Sequence, residues 1–151
     1  MPTVDVTSSP LTPSARLGAA LRLTRWLAAH GSDPAHVVVS FRTAEPMAYY
    51  SGGVPLTAYQ DVAGEERRAR WAYVVCHVHP DRDHRYLAGL AEEVRQTLGL
   101  DAETAHLMVR FEPTRPDQVF YLESGSMTNA GASPAGHAQQ KGPRHAHPAH
   151  H

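Results

Sequence analysis

The chain has 151 residues, a formal net charge of −1 and one cysteine, Cys76. That length favours one domain. The near-zero charge supplies no bulk field toward nucleic acid or an anionic membrane, and a lone cysteine excludes a disulfide scaffold and fits a reducing cytosol. With no charged-then-apolar leader and no apolar run long enough for a bilayer, the expectation is a soluble cytoplasmic protein with no nucleic-acid or membrane partner.

Pro2 heads a short alternating strand expected over residues 2–8. Loss of Met1, usual before a small residue, leaves Pro2 as a secondary amine at the chain terminus. An α-amino group titrates at about 7.7–8.0, and burial or a nearby cation lowers that value. Such an amine can serve as a general base, a general acid or a nucleophile near neutral pH. Thr12 and Pro13 have the residue types of an N-cap and a first helical position, which starts a helix over 14–29. Its buried stripe is read as Leu17, Ala20, Leu21 and Leu27, with Leu23 a further possibility, and Gly31 ends it. Strands follow over 36–41 and 47–50, then a turn at Ser51-Gly52-Gly53 and a charged loop over 55–70.

The second half repeats the order. Trp71 to Val78 reads as a strand, and a helix opens at Pro80 to Arg82 and runs to Leu98 before Gly99. Its stripe is Tyr86 or Leu87, Leu90, Ala91, Val94 and Leu98. Residues 105–111 form another strand and 118–122 a last short one. From Ser126 the chain is rich in Ala, Gly, Pro and His and poor in large apolar groups, so 126–151 is expected to be disordered, with a folded domain over 1–125. The tail histidines His145, His147, His150 and His151 look like a metal tract but have no fixed geometry. No metal and no cofactor is expected. The fold class is α+β: two β-α-β units forming one four-stranded sheet with both helices on one face, plus short extra strands.

Pro2 at the head of this order resembles the tautomerase superfamily, which includes 4-oxalocrotonate tautomerase, macrophage migration inhibitory factor and cis-3-chloroacrylic acid dehalogenase. The dehalogenase group is the most similar. The likeness rests on Leu11-Thr12-Pro13-Ser14-Ala15-Arg16, on the stretch from Glu45 to Val54 with its double glycine, on Leu87-Ala88-Gly89-Leu90 and on His106 to Phe111. It covers about Pro2 to Leu122. It implies a homotrimer with active sites between subunits and Pro2 as the catalytic amine. It also implies arginines that bind a substrate carboxylate. Arg82 and Arg85 have the family's R-x-x-R spacing, two residues later than its position.

Elsewhere the pattern departs. Tyr121 stands where the dehalogenase has its water-activating glutamate, Arg110 where it has a tyrosine, and Leu27 where it has a histidine, with His30 about a turn later. The second catalytic group is therefore Tyr121, Glu112 or Glu123, with Arg82, Arg85 and Arg110 as substrate-binding groups. Dehalogenation is not expected. The function read from the sequence is a tautomerase-like enzyme using Pro2 for proton transfer on a small 2-oxo, enol or unsaturated carboxylic acid. The alternative is a non-catalytic homotrimer that binds a metabolite or partner, with the 55–70 loop as its contact surface.

Overall fold

The computed structural model describes residues 2–56, 68–101 and 106–132. The chain divides into two compact units, Met1–Thr114 and Arg115–His151. In the first, β1 (Thr3–Ser8), β2 (Val38–Thr43), β5 (Trp71–Val78) and β6 (His106–Pro113) form one sheet in the order β2-β1-β5-β6. The pairs β1–β2 and β5–β6 are parallel, and β1–β5 is antiparallel. Each parallel pair is bridged by a helix, α1 (Pro13–Ala29) or α2 (His84–Leu98). A two-stranded ribbon, β3 (Tyr50–Ser51) and β4 (Val54–Pro55), turns through Gly52 and Gly53, both at positive φ.

Strand alternation sorts the sheet into two faces. Val4 and Val6 of β1 and Ala72, Val74, Cys76 and Val78 of β5 are buried on one face, in a single cluster with Leu23 and Leu27 of α1 and Leu90, Val94 and Leu98 of α2. Val39 and Phe41 extend that layer on β2, and Leu107, Val109 and Phe111 extend it on β6. Both helices therefore cover the same face, as expected. Each fully buried leucine contributes about 1.5–3 kcal/mol.

The stripe on α1 differs from the expected one. Ala19, Leu23 and Leu27 face the core, while Leu17 and Leu21 are exposed. The helix carries leucines on two faces, and only the i, i+4, i+8 set of 19, 23 and 27 meets the sheet. Its start is as read: Thr12 accepts a hydrogen bond from the Ala15 amide at 3.1 Å. Helix α2 starts later than read, because Asp83 is its N-cap and accepts from the Tyr86 amide at 2.8 Å. Gly99 closes it in the left-handed conformation at φ 71.

In the second unit, a 3-10 turn at Pro116–Gln118 leads into a hairpin of β7 (Phe120–Glu123) and β8 (Ser126–Asn129). Asn129 donates to the Asp117 carbonyl at 2.8 Å and its own carbonyl accepts from the Ala132 amide. The boundary expected at Ser126 thus falls within the hairpin, at the first residue of a paired strand. The tail histidines and most of the charged 55–70 loop lie outside the described residues.

Candidate active site

The parallel and antiparallel pairings bring four chain ends to one end of the sheet. Thr3 is level with Val38 at the start of β2 and with His77 near the end of β5. Helix α1 ends just before β2, and α2 begins just after β5. Pro2 lies at this end. Its carbonyl accepts from the Val38 amide at 3.3 Å, and the residue is buried. Alternation with Thr3 and Val4 puts Pro2 on the helix-covered face.

Above that face the C-terminus of α1 meets the N-terminus of α2. His30, the C-cap of α1, stacks on Trp26 with ring centres 3.7 Å apart, and Tyr86 is tilted against Trp26 at 5.3 Å. The His30 Nδ1 lies 2.7 Å from the Trp26 carbonyl. A carbonyl only accepts, so Nδ1 carries a proton and donates it here. Gly89 is what lets Trp26 lie down here: a Cβ at that position would sit 3.2 Å from Trp26 Cζ2. A cavity of about 500 Å³ opens between these groups, lined by Trp26, His30, Asp83, Arg85, Tyr86 and Gly89. Pro2 is not among its lining residues.

The two arginines have different situations. Arg82 precedes the N-cap and is not helical. It donates to the His30 carbonyl at 3.3 Å, and its guanidinium lies 4.4 Å from the Tyr86 ring centre. It clasps the end of α1 to the start of α2. Arg85 is exposed in the first turn of α2, and among the described residues no hydrogen bond or ion pair engages it. A cation there opposes the helix macrodipole, and Asp83 alone supplies the negative charge the N-terminus favours. Arg85 is thus the guanidinium open to an anion. Burial raises the Tyr86 phenol above its usual range, against the opposing charge of Arg82.

The opposite face holds a second polar group. His77 lies between Asp5, 3.3 Å from Nε2, and Glu112, 3.5 Å from Nδ1. Ser40 donates to Asp5 at 2.6 Å, and Arg110 pairs with Glu112 at 2.5 Å. A cavity of about 410 Å³ adjoins them, with Tyr49, Tyr73 and Arg42 in its wall. Among the described residues no group of three or more His, Cys, Asp or Glu side chains is placed to hold a metal ion.

No protein-family model and no curated protein sequence matches the chain. Solved structures do. A member of the cis-3-chloroacrylic acid dehalogenase family, N1, is 19% identical, with 91% of each chain covered and a TM-score of 0.59. A fused 4-OT symmetric trimer is 18% identical over 86% of this chain and 97% of that one, at 0.56. The macrophage migration inhibitory factor of Toxoplasma gondii is 12% identical over 83% and 99%, also at 0.56.

The chain has the tautomerase fold. Within the tautomerase fold as this chain builds it, Pro2, Arg82 and Arg85 share one face and one end of the sheet. Arg110 does not join them: it stands on the other face of the sheet in the same chain. Glu112 is there too, paired with Arg110 and beside His77. Tyr121 and Glu123 belong to the hairpin of the second unit, where Tyr121 is level with Thr128. Trp26, Tyr86 and His30 were not among the expected site residues. The signal for the first and last was an i, i+4 aromatic pair at a helix end before a glycine. Tyr86 was absorbed into the apolar stripe, although it sits in the first turn beside both arginines. Cys76 is buried, and burial first and the Asp5 charge second push its thiol up to about 12, so it is a packing group.

Proposed function

We propose that the protein is a tautomerase that moves a proton on a small 2-oxo or enol carboxylic acid, with Pro2 as the base. The observation that carries this reading is the burial of Pro2 at the sheet end where Arg82, Arg85 and the aromatic cavity are gathered. With Met1 removed, burial and the nearby guanidinium charges lower the amine pKa toward neutrality. Arg85 receives the substrate carboxylate. The Pro2 nitrogen takes the enol proton and returns it to carbon, so no co-reactant is consumed. The same geometry favours tautomerisation over hydration: among the described residues the carboxylate lining the cavity, Asp83, is engaged as the N-cap of α2, and Glu112 stands on the opposite face.

The working unit in this reading is a homotrimer. The fused 4-OT structure is described as a trimer, and here β2 and β6 are both edge strands, with Val38 and Met108 exposed. In a trimer Arg110 of one copy would meet the substrate held by another, which is how a residue on the far face could serve this site. Intact mass on the purified protein is the first test: Met1 is absent. Pro2→Ala then lowers kcat on 2-hydroxydienoate or arylpyruvate enols by at least a hundredfold. Full retention of Met1, or unchanged turnover in Pro2→Ala, rejects the enzyme and leaves a binding trimer.

A further inference from the structure

We infer that the Tyr86 hydroxyl donates a hydrogen bond to the 2-oxygen of the substrate, where negative charge builds as Pro2 moves the proton. The inference rests on the tautomerase reading above and names the group that holds the oxygen rather than the carboxylate.

Three observations converge on it. Tyr86 lines the cavity with Arg85 one residue before it, so phenol and guanidinium reach one small ligand from the same turn of α2. The ring is fixed on two sides, by the Arg82 guanidinium at 4.4 Å and by Trp26 at 5.3 Å, which aims the hydroxyl without a rotamer search. Tyr86 also meets the His30 ring edge-on at 6.3 Å, and His30 ends the helix that leads to β2 and Val38, the residue hydrogen-bonded to Pro2.

A phenol held protonated is a donor at working pH and not a base. Donation to a developing enolate oxygen in a partly dry cavity strengthens as charge develops, which is what lowers a barrier. No proton leaves Tyr86: the proton shuttles between the substrate oxygen, Pro2 and carbon. Arg82 is a positioning residue in this scheme, since it acts through the Tyr86 ring.

Oxalate and acetate separate the roles. Oxalate presents a carboxylate and a second, charged oxygen in the place of the enolate, whereas acetate presents only the carboxylate. Tyr86→Phe keeps the ring and its packing and removes only the hydroxyl. By calorimetric titration it should weaken oxalate about tenfold or more and leave acetate within twofold. Arg85→Ala should weaken both. In turnover, Tyr86→Phe should lower kcat about tenfold or more with KM little changed, and Tyr121→Phe should not reproduce the oxalate effect. Equal weakening of oxalate and acetate, or no weakening of either, overturns the inference. If Pro2→Ala turns over normally while the oxalate selectivity of Tyr86→Phe holds, the Pro2 mechanism fails and the Tyr86 assignment stands.

Discussion

The division of labour between Arg82 and Arg85 gives a prediction with opposite signatures in stability and kinetics. Arg82→Ala removes one hydrogen bond to the His30 carbonyl and one cation–π contact with Tyr86. At 3.3 Å and half exposed, the hydrogen bond lies at the weak end for a charged donor, about 1 kcal/mol. The ring contact adds about 0.5–1 kcal/mol. The freed carbonyl is open to water, so no burial penalty follows. The expected loss is about 1.5–2 kcal/mol, or roughly 3–8 °C in Tm for a chain of this size. Arg85→Ala removes a side chain with no such partners and relieves an unfavourable cation at a helix N-terminus, so its stability stays within about 0.5 kcal/mol. Its loss instead appears as a KM about 10–100-fold higher, the worth of a charged contact to a carboxylate. Urea unfolding at fixed protein concentration, alongside steady-state rates on an enol substrate, measures both. The reasoning is refuted if Arg85→Ala destabilises as much as Arg82→Ala, or if Arg82→Ala raises KM while its unfolding midpoint is unchanged.

Gly99→Ala should cost about 2–4 kcal/mol, because a Cβ there meets Arg68 Cβ at 2.8 Å on a left-handed backbone; Gly52→Ala, at φ 56 with nothing within 4 Å, should cost only about 1 kcal/mol. Equal midpoints for the two variants would remove the steric part of that argument. Cys76 should resist thiol reagents in the folded protein. Its unfolded thiol ionises above 9.0 and the buried one only near 12, so stability should fall as pH rises across that window, less steeply in Cys76→Ala. A chain ending at Ala132 should fold with an unchanged melting curve, whereas one ending at Gly125 loses β8, leaves β7 unpaired and should expose an aggregation-prone edge. Scattering after mild heating distinguishes the two.

The features legible in the sequence are those written locally. The Thr12 cap, the Gly99 stop and the limits of β5 are each fixed by one or two residues and their immediate neighbours. The core face of α1 is not, because Leu17 and Leu21 compete with Leu23 and Leu27, and only the sheet decides which pair is covered. The start of α2 was set one turn early: Pro80 looks like a first helical residue, but the Asp83 carboxylate bonds the Tyr86 amide and claims the cap. That shift moves Arg82 out of the helix and turns it from a ligand group into a clasp. Strand β8 was hidden because Ser126 to Asn129 is polar and short; its partner β7 and the turn at Ser124 and Gly125, both at positive φ, hold it in place. The cavity itself joins residues some sixty positions apart, and no local pattern encodes such a meeting.

The chain has two tryptophans, and they stand in contrasting surroundings. Trp71 is 1% exposed on the sheet face turned away from both helices, beneath Tyr49. Trp26 forms a wall of the cavity and lies flat against the His30 imidazole. A ligand in the cavity changes the water that the indole meets. Trp71 then supplies a steady, blue-shifted background, and Trp26 supplies a signal that follows occupancy. The protein thereby carries its own optical probe at the site, and substrate screening needs neither a coupled assay nor a chromophoric compound.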